Sequence, residues 1–449
     1  MSQPAASHLV LEGPHERYQS GATTPTDVLD GYLSTVSARE GEVKAFTVIN
    51  GDGAIAAAAA STKRWAEGKP LSAIDGMVIG IKDVIETADM PTGQGSPIWE
   101  GFHTRRDAAC VQALREAGAV VLGKTTTTEF ATRHSFADTR NPHDTARTPG
   151  GSSSGSAAAV GAGMLDGALG TQVVGSILRP SSYCGVVGFK PSFGALNRGG
   201  ANDQLSHSCL GTIATTLSGA WALATAIAER VGGDPGHPAL RGDTKLSEAR
   251  QPRRLALLRT AGWSQLEPGA RAALDAELRL LQGAGVEIIS DAKDTDLAAL
   301  ETALAEAWPL TERILSWEFC WPLRSYPYGQ LSPIMQARLS AGLEMTLNDY
   351  EEALTRRATI RQAYERVAER VDGFVTLAAT GAAPRLDDTT GSPAMNVPAS
   401  LLGVPAVSLP ILSDGGLPLG LQLIGSRGGD ADLMARARWR LELNVNGVC

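Results

Sequence analysis

Gly150-Gly151-Ser152-Ser153-Ser154-Gly155-Ser156 looks at first like a flexible linker. Its continuation argues otherwise. Ser156 to Met164 runs straight on as a small-residue helix, and small residues let a helix lie close on a sheet. Downstream, Gly175-Ser176 sits in a second glycine-flanked loop. Upstream, Lys82 ends the apolar run Met77-Val78-Ile79-Gly80-Ile81. Two serines in glycine loops and one lysine after an apolar strand are the parts of a serine nucleophile that needs no histidine. A serine hydroxyl attacks only when a neighbouring base takes its proton. A lysine can be that base once burial lowers its pKa towards neutrality.

Outward from this stretch the chain alternates strands and helices. Val78 to Ile81 reads as a buried strand, Asp107 to Ala117 as an amphipathic helix, and Ala119 to Leu122 as the next strand. Gly185 to Pro191 closes this core. Such alternation predicts an α/β sheet with helices on its faces. The first 70 residues read as helical, with Thr24-Pro25 as a helix start and Ala54 to Lys69 as a second helix. Residues 236–370 are richer in Arg, Glu and Leu and read as mostly helical, with one strand near Val286 to Ile289. Strands return at Asp372 to Leu377, Ala406 to Pro410 and Leu419 to Ile424, completing the sheet. The expected organisation is one large domain, 1–449, in four parts: 1–70, 71–235, 236–370 and 371–449.

Composition narrows the function classes. The 449 residues are 43% hydrophobic and 20% charged, enough for a sizeable core, and the 50 glycines point to tight turns and close backbone approach. A net charge of -8 argues against a general nucleic-acid binder, so no nucleic-acid partner is expected. Cys110, Cys184, Cys209, Cys320 and Cys449 are scattered and odd in number, which fits reduced thiols and a cytoplasmic location. Met1 to His8 lacks a secretory pattern, and the longest apolar stretch, Ala54 to Ala60, is too short to span a membrane.

Three other motifs compete for attention. Gly118 to Thr125 matches the phosphate-loop pattern G-x-x-x-x-G-K-[ST], but Ala119 to Leu122 is itself the strand, which ties up the amides that should face phosphate. Gly151-Ser152-Ser153-Ser154-Gly155 matches a nucleophile elbow. That elbow needs a strand leading into it and a late histidine; Asp144 to Pro149 is a poor strand and the last histidine is His237. His103, His134, His143 and His207 show no metal-ligand spacing, so no metal is expected.

The set Lys82, Ser152, Ser176 resembles the amidase signature family. The resemblance covers nearly the whole chain and is densest from Asp75 to Pro191. It is carried by Gly80-Ile81-Lys82-Asp83, Gly123-Lys124-Thr125 with Glu129-Phe130-Ala131, Asn141-Pro142-His143-Asp144, and Thr148 to Ala158. Gly170-Thr171, Gly175-Ser176 and Cys184 to Pro191 continue it, and Asn396-Val397-Pro398 and Leu402 to Ala406 complete it. The resemblance implies a central mixed, twisted β-sheet covered on both faces by helices. It implies Ser176 as nucleophile, Ser152 as the bridge in a cis peptide after Gly151, and Lys82 as base. It also implies an oxyanion hole from the amides of Val173, Val174, Gly175 and Ser176, and neither metal nor organic cofactor.

The nucleophile loop departs from the family's common Thr-Asp-x-Gly-Gly-Ser followed by Ile-Arg. Here it is Thr171-Gln172-Val173-Val174-Gly175-Ser176-Ile177-Leu178-Arg179. Gln172 replaces the acid, Val174 replaces a glycine, and Arg179 comes one position later. If position 174 needs positive φ, valine strains it. The expected activity is hydrolysis of a small linear amide through a serine acyl-enzyme, with aryl amides, hydrazides and urea-like amides all open. The alternatives are a glutamine-hydrolysing subunit of a tRNA-dependent amidotransferase and a catalytically impaired binding homologue. The aromatic cluster Trp308, Trp317, Phe319, Trp321, Tyr326 and Tyr328 reads first as core or subunit contact, with a homodimer allowed for. The sharper reading makes it the wall of an apolar substrate pocket, carried by Trp317 and Trp321.

Overall fold

In the computed structural model, which describes residues 14–132, 134–200, 205–386 and 389–443, the apolar runs Val78 to Ile81 and Ala119 to Leu122 become strands buried on both faces. The strands are β1 (Phe46–Ile49), β2 (Val78–Lys82), β3 (Val120–Thr125), β4 (Gly167–Gln172), β5 (Val187–Lys190) and β6 (Cys209–Ala214). After them come β7 (Arg254–Leu257), β8 (Glu287–Ile289), β9 (Gly373–Leu377), β10 (Ala406–Asp414) and β11 (Leu417–Ile424). They form one sheet in the order β1-β3-β2-β4-β6-β5-β10-β11-β9-β7-β8. β2 runs parallel to β3 and β4, and β7 parallel to β8 and β9. The other pairings are antiparallel, so the sheet is mixed.

The helices are α1 (Pro14–Gln19), α2 (Pro25–Val43), α3 (Gly51–Ala66), α4 (Ala109–Glu116), α5 (Ser154–Gly161), α6 (Leu178–Tyr183) and α7 (Leu217–Val231). Then follow α8 (Pro268–Gly283), α9 (Thr295–Leu304), α10 (Ala307–Leu323), α11 (Pro333–Glu344), α12 (Leu347–Ala368), α13 (Val397–Leu402) and α14 (Asp430–Leu443). Alternate strand residues choose opposite faces, as period two requires. Ile79, Ile81, Val121, Leu169, Val407 and Leu421 pack with Val111 and Leu114 of α4, Trp221 and Leu223 of α7, Leu274 of α8 and Met434 of α14. On the other face Val78, Val120 and Ala168 meet Leu29 of α2, Ala54 of α3 and Ala157 of α5. Farther along that face, Phe374, Ala406 and Ile424 meet Leu300 of α9, Ile314 of α10 and Tyr364 of α12. The chain is a single large α/β domain.

Local signals explain where elements begin. Thr24 caps α2: its Oγ accepts from Asp27 N (3.2 Å), while Thr24 N donates to the Asp27 carboxylate (3.0 Å). Such a cap contributes about 1 kcal/mol. The serine-glycine stretch enters α5 because Gly155 has no side chain. A Cβ there would lie 2.1 Å from Ala45 O and 2.4 Å from Thr126 N.

The sequence reading missed four strands, β1, β4, β6 and β7. β1 lies inside the segment expected to be helical. It has only four residues and half-exposed alternation at the sheet edge. In β6, Gly211 and Thr212 break up the apolar run, although every residue is buried. β7 is four residues long and starts on an arginine.

Candidate active site

Lys82 is the last residue of β2 and is completely buried. Its Nζ donates to Ser152 Oγ (2.7 Å), Thr171 Oγ1 (2.8 Å) and Thr171 O (3.3 Å). Ser152 follows a cis peptide bond after Gly151 and lies in the loop just before α5. Ser153 N donates to Ser176 O at 3.2 Å, which clamps the first serine loop onto the second. Ser176 sits between β4 and α6 and is 3% exposed. Lys82, Ser152 and Ser176 therefore share one buried locale built from the ends of β2 and β4 and the start of α5.

The departures in the Ser176 loop acquire physical roles. Gln172 is buried; its Oε1 accepts from Ile177 N (2.9 Å) and Leu178 N (3.0 Å), and its Nε2 donates to Ser400 Oγ (3.1 Å). It thus holds the first amides after Ser176. Arg179 Nη2 donates to Gly151 O (2.7 Å) and Thr390 Oγ1 (3.0 Å), tying the start of α6 to the Ser152 loop. Val174 is not among the residues with positive φ, so valine causes no backbone strain. Its half-buried side chain packs with Val173, Leu205 and Leu315.

Ser176 opens onto a narrow slot of about 40 Å³ whose walls include Val173, Val174, Leu315, Phe319, Glu312 and Arg338. Arg338 Nη2 pairs with Glu312 Oε2 at 2.6 Å, and its guanidinium lies over the Phe319 ring. Next to the slot is a cavity of about 480 Å³ lined by Phe130, Trp317, Phe319, Trp321, Tyr326 and Tyr350, among others. Phe130, Ala131, Leu205 and Phe319 face both spaces. Trp317 stacks on Tyr350 with centroids 5.5 Å apart, and Phe130 stacks on Tyr326 at 5.3 Å. The cavity's carboxylate, Glu318, accepts from Tyr350 OH (2.8 Å) and Ser206 N (3.0 Å). Trp321 is 79% exposed and stands at the rim. Trp308 packs against the core of α9, α10 and α12 instead, and Tyr328 is exposed.

Sequence reasoning missed Phe130, Gln94 and Ala131 as cavity walls. Their φ values are 46°, 56° and 58°. Non-glycine residues in this region cluster at functional sites. They are held by a chain of bonds: Phe130 N to Gln94 O (2.8 Å), Gln94 N to Asp83 O (2.9 Å), and Gly93 N to the Asp83 carboxylate (3.1 Å). Asp83 is paired with buried Lys124 at 3.0 Å. Burial works against both charges, raising the Asp83 pKa and lowering that of Lys124, and each partner opposes the other's shift. Lys124 thus belongs to β3, with Gly123 and Thr125 in register with β2, and not to a phosphate loop. No residue type or spacing announces such a wall. Cys110, Cys184 and Cys209 are buried thiols, with burial pushing Cys110 up to about 12; Cys449 lies outside the described residues.

The sequence model of the Amidase family matches residues 27–434. A glutamyl-tRNA(Gln) amidotransferase component from Chloroflexus aggregans is 32% identical, covering 95% of this chain and 94% of its own. The protein of that name from Methanothermobacter thermautotrophicus is 31% identical, covering 92% and 95%. Among solved structures, peptide amidase from Stenotrophomonas maltophilia aligns with a TM-score of 0.74 at 26% identity, covering 95% and 94%. A protein from a vestigial complex linked to the origins of an s-triazine catabolic enzyme aligns at 0.81 and 28%, covering 96% and 97%.

These relatives correct one expectation. Nucleic acid was excluded as a partner, yet the curated relatives carry a tRNA in their name. The exclusion rested on a net charge of -8. A sum over the chain says nothing about where basic groups cluster. As for membranes, no helix among the described residues is long and apolar enough to cross one. With a signature spanning 27–434 and full-length relatives at 31–32% identity, this chain belongs to the amidase family, enzymes that hydrolyse amide carbon–nitrogen bonds.

Proposed function

We propose that this chain hydrolyses a primary carboxamide through an acyl-enzyme on Ser176 and releases ammonia, with glutamine as the amide donor. The observation that carries the chemistry is the 2.7 Å contact between Lys82 Nζ and Ser152 Oγ, beside a loop clamped to Ser176. Neutral Lys82 takes the Ser152 proton as Ser152 takes that of Ser176, and Ser176 Oγ attacks the amide carbon. The amides of Val173, Val174, Gly175 and Ser176 receive the oxyanion. Each such donor is worth about 3–4 kcal/mol in the transition state. The proton returns through Ser152 to the leaving nitrogen, and ammonia departs. Water then repeats the cycle on the ester, so amide plus water gives acid plus ammonia.

Two observations support glutamine. The relatives at 31–32% identity are named as components of an amidotransferase. The slot also sets a cation and a carboxylate side by side, Arg338 and Glu312. That pair is matched to the α-carboxylate and α-ammonium of an amino acid. In this reading the ammonia passes to a carboxyl group on a tRNA-linked acceptor that a partner protein holds and first activates as an acyl phosphate with a nucleoside triphosphate, and phosphate leaves as the amide forms. A second reading, a stand-alone aryl amidase, is favoured by the aromatic cavity beside the slot. The impaired-homologue alternative loses its support, because Val174 carries no positive φ.

Ammonia release from glutamine, asparagine, benzamide and benzoic hydrazide separates the readings. Turnover of glutamine in preference to the aryl amides supports the first. Turnover of aryl amides with none of glutamine overturns it and establishes the second. Co-purification of a second polypeptide from the native source tests the partner.

A further inference from the structure

Away from the Ser176 slot, positive charge gathers without matching carboxylates. Arg357 and Arg361 lie one turn apart on α12. Arg357 Nη1 donates to Ser206 Oγ (2.7 Å) and reaches His207 Nδ1 (3.4 Å). Arg361 Nε donates to Leu401 O (3.0 Å) near the end of α13. A cation at a helix C-terminus is favourable and accounts for that one bond. It leaves Arg361 Nη2, which is buried with no hydrogen-bond partner.

Arg427, exposed in the turn after β11, approaches the same place. Gly403, at φ 72°, follows α13 without a side chain. A Cβ built on it would lie 3.1 Å from Arg427 Nη2 and 3.4 Å from Arg361 Nη2. Two guanidinium ends from different elements thus converge on the Gly403 turn beside Phe193. His207 is fully buried, and its Nε2 has no partner. Burial, then Arg357 and Arg361, hold its pKa down to about 3, so the ring is neutral. With Nδ1 accepting from Arg357, Nε2 carries the proton.

Among the described residues no carboxylate forms an ion pair with Arg357, Arg361 or Arg427; Glu318 and Glu365 act on Arg357 and Arg361 at longer range. Burial, then Arg357 and Arg427, pull Arg361 down to about 9. Half-buried like charges without an ion-pair partner are costly, and an anion between them lowers the cost.

We propose that Arg361, Arg427 and the Gly403 turn form an oxyanion site, separate from the amide-cleaving centre, that takes a phosphate group. Phosphate fits better than a carboxylate. Its tetrahedral oxygens can meet two guanidinium groups arriving from different directions, and its double charge answers more than one cation. Arg357, one turn from Arg361, bonds Ser206, which lines the aromatic cavity.

The test is thermal melting of the full chain in inorganic phosphate against chloride at equal ionic strength, for wild type, Arg427→Gln and Arg361→Gln. Phosphate at about 10 mM is expected to raise the wild-type midpoint by about 2 °C or more and to leave both variants unmoved. In chloride, Arg361→Gln is expected to melt no lower than wild type, because it removes one of three mutually repelling charges. A phosphate shift absent from wild type, or equal in Arg427→Gln, overturns the proposal. Arg427 is exposed, so that variant decides the matter even if Arg361→Gln folds poorly. An RNA oligonucleotide that abolishes the phosphate shift by competition assigns the phosphate to a nucleic-acid backbone. An RNA without effect, with the phosphate shift intact, assigns it to a small phosphorylated ligand.

Discussion

Gln172 Oε1 accepts the amide of Ile177 at 2.9 Å and so pins the turn that presents Ser176. The residue that breaks the family's usual acid at this position has taken over a structural task of the loop. Its second bond, from Leu178 N at 3.0 Å, lies at the start of α6.

Substituting Gln172 by Leu should strand both amides in a buried site. Each lost partner costs about 1–3 kcal/mol. The expected outcome is a fall in kcat of about tenfold or more and a lower urea midpoint, with Gln172→Glu retaining more of both. Steady-state kinetics and urea unfolding check this; unchanged values for the Leu variant would contradict the role.

Lys82→Ala, Ser152→Ala and Ser176→Ala should each lower kcat by about 10³-fold or more, because members of one relay fail together. The double variant Lys82→Ala/Ser152→Ala is expected to be no slower than the worse single variant. Multiplicative losses would mean that the two act independently.

The Asp83–Lys124 pair is buried and lies under the Gln94–Phe130 wall. Lys124→Met leaves Asp83 unpaired, which should cost about 3–5 kcal/mol. Asp83→Asn combined with Lys124→Met should recover part of the loss. Urea unfolding of the three variants tests this coupling.

Asp294 caps α9 through Leu297 N (2.9 Å). Hydrogen bonds from Arg370, then the Leu297 amide, lower its carboxyl to about 2. A lowered carboxyl stabilises the fold above its unfolded pKa, and that contribution is lost as pH falls through the folded value. Asp294→Ala should therefore be less stable than wild type at pH 6, by about 1 kcal/mol for a lost cap. The gap should close between about pH 4 and pH 2. Melting midpoints across that range check it; a constant gap would contradict the linkage.

Trp317→Ala should shift the ratio of aryl-amide to glutamine turnover, since Trp317 stacks on Tyr350 inside the cavity. Trp321→Ala should change it less, because that ring is 79% exposed. If neither variant alters the ratio, the cavity has no part in substrate choice.

Legibility in the chain followed physical locality. Val78 to Ile81 and Ala119 to Leu122 announced strands because both faces are buried and every residue is apolar or glycine. Lys82, Ser152 and Ser176 stood out because glycine loops and a lysine after a strand form a local signature. β1 was hidden by its four-residue length and its place at the sheet edge. The cavity wall at Phe130, Gln94 and Ala131 was hidden for another reason. Left-handed backbone at a phenylalanine is imposed by tertiary bonds to Gln94 and Asp83, and no local preference encodes it. Trp317 and Trp321 looked equivalent in sequence; only the packing of α10 separates the lining ring from the rim.

The most direct measurement is intact-protein mass spectrometry after a fluorophosphonate probe, on wild type and Ser176→Ala. A single adduct is expected on wild type and none on the variant. A well-folded wild type that takes no adduct, or an adduct that persists in Ser176→Ala, would contradict an activated nucleophile at Ser176.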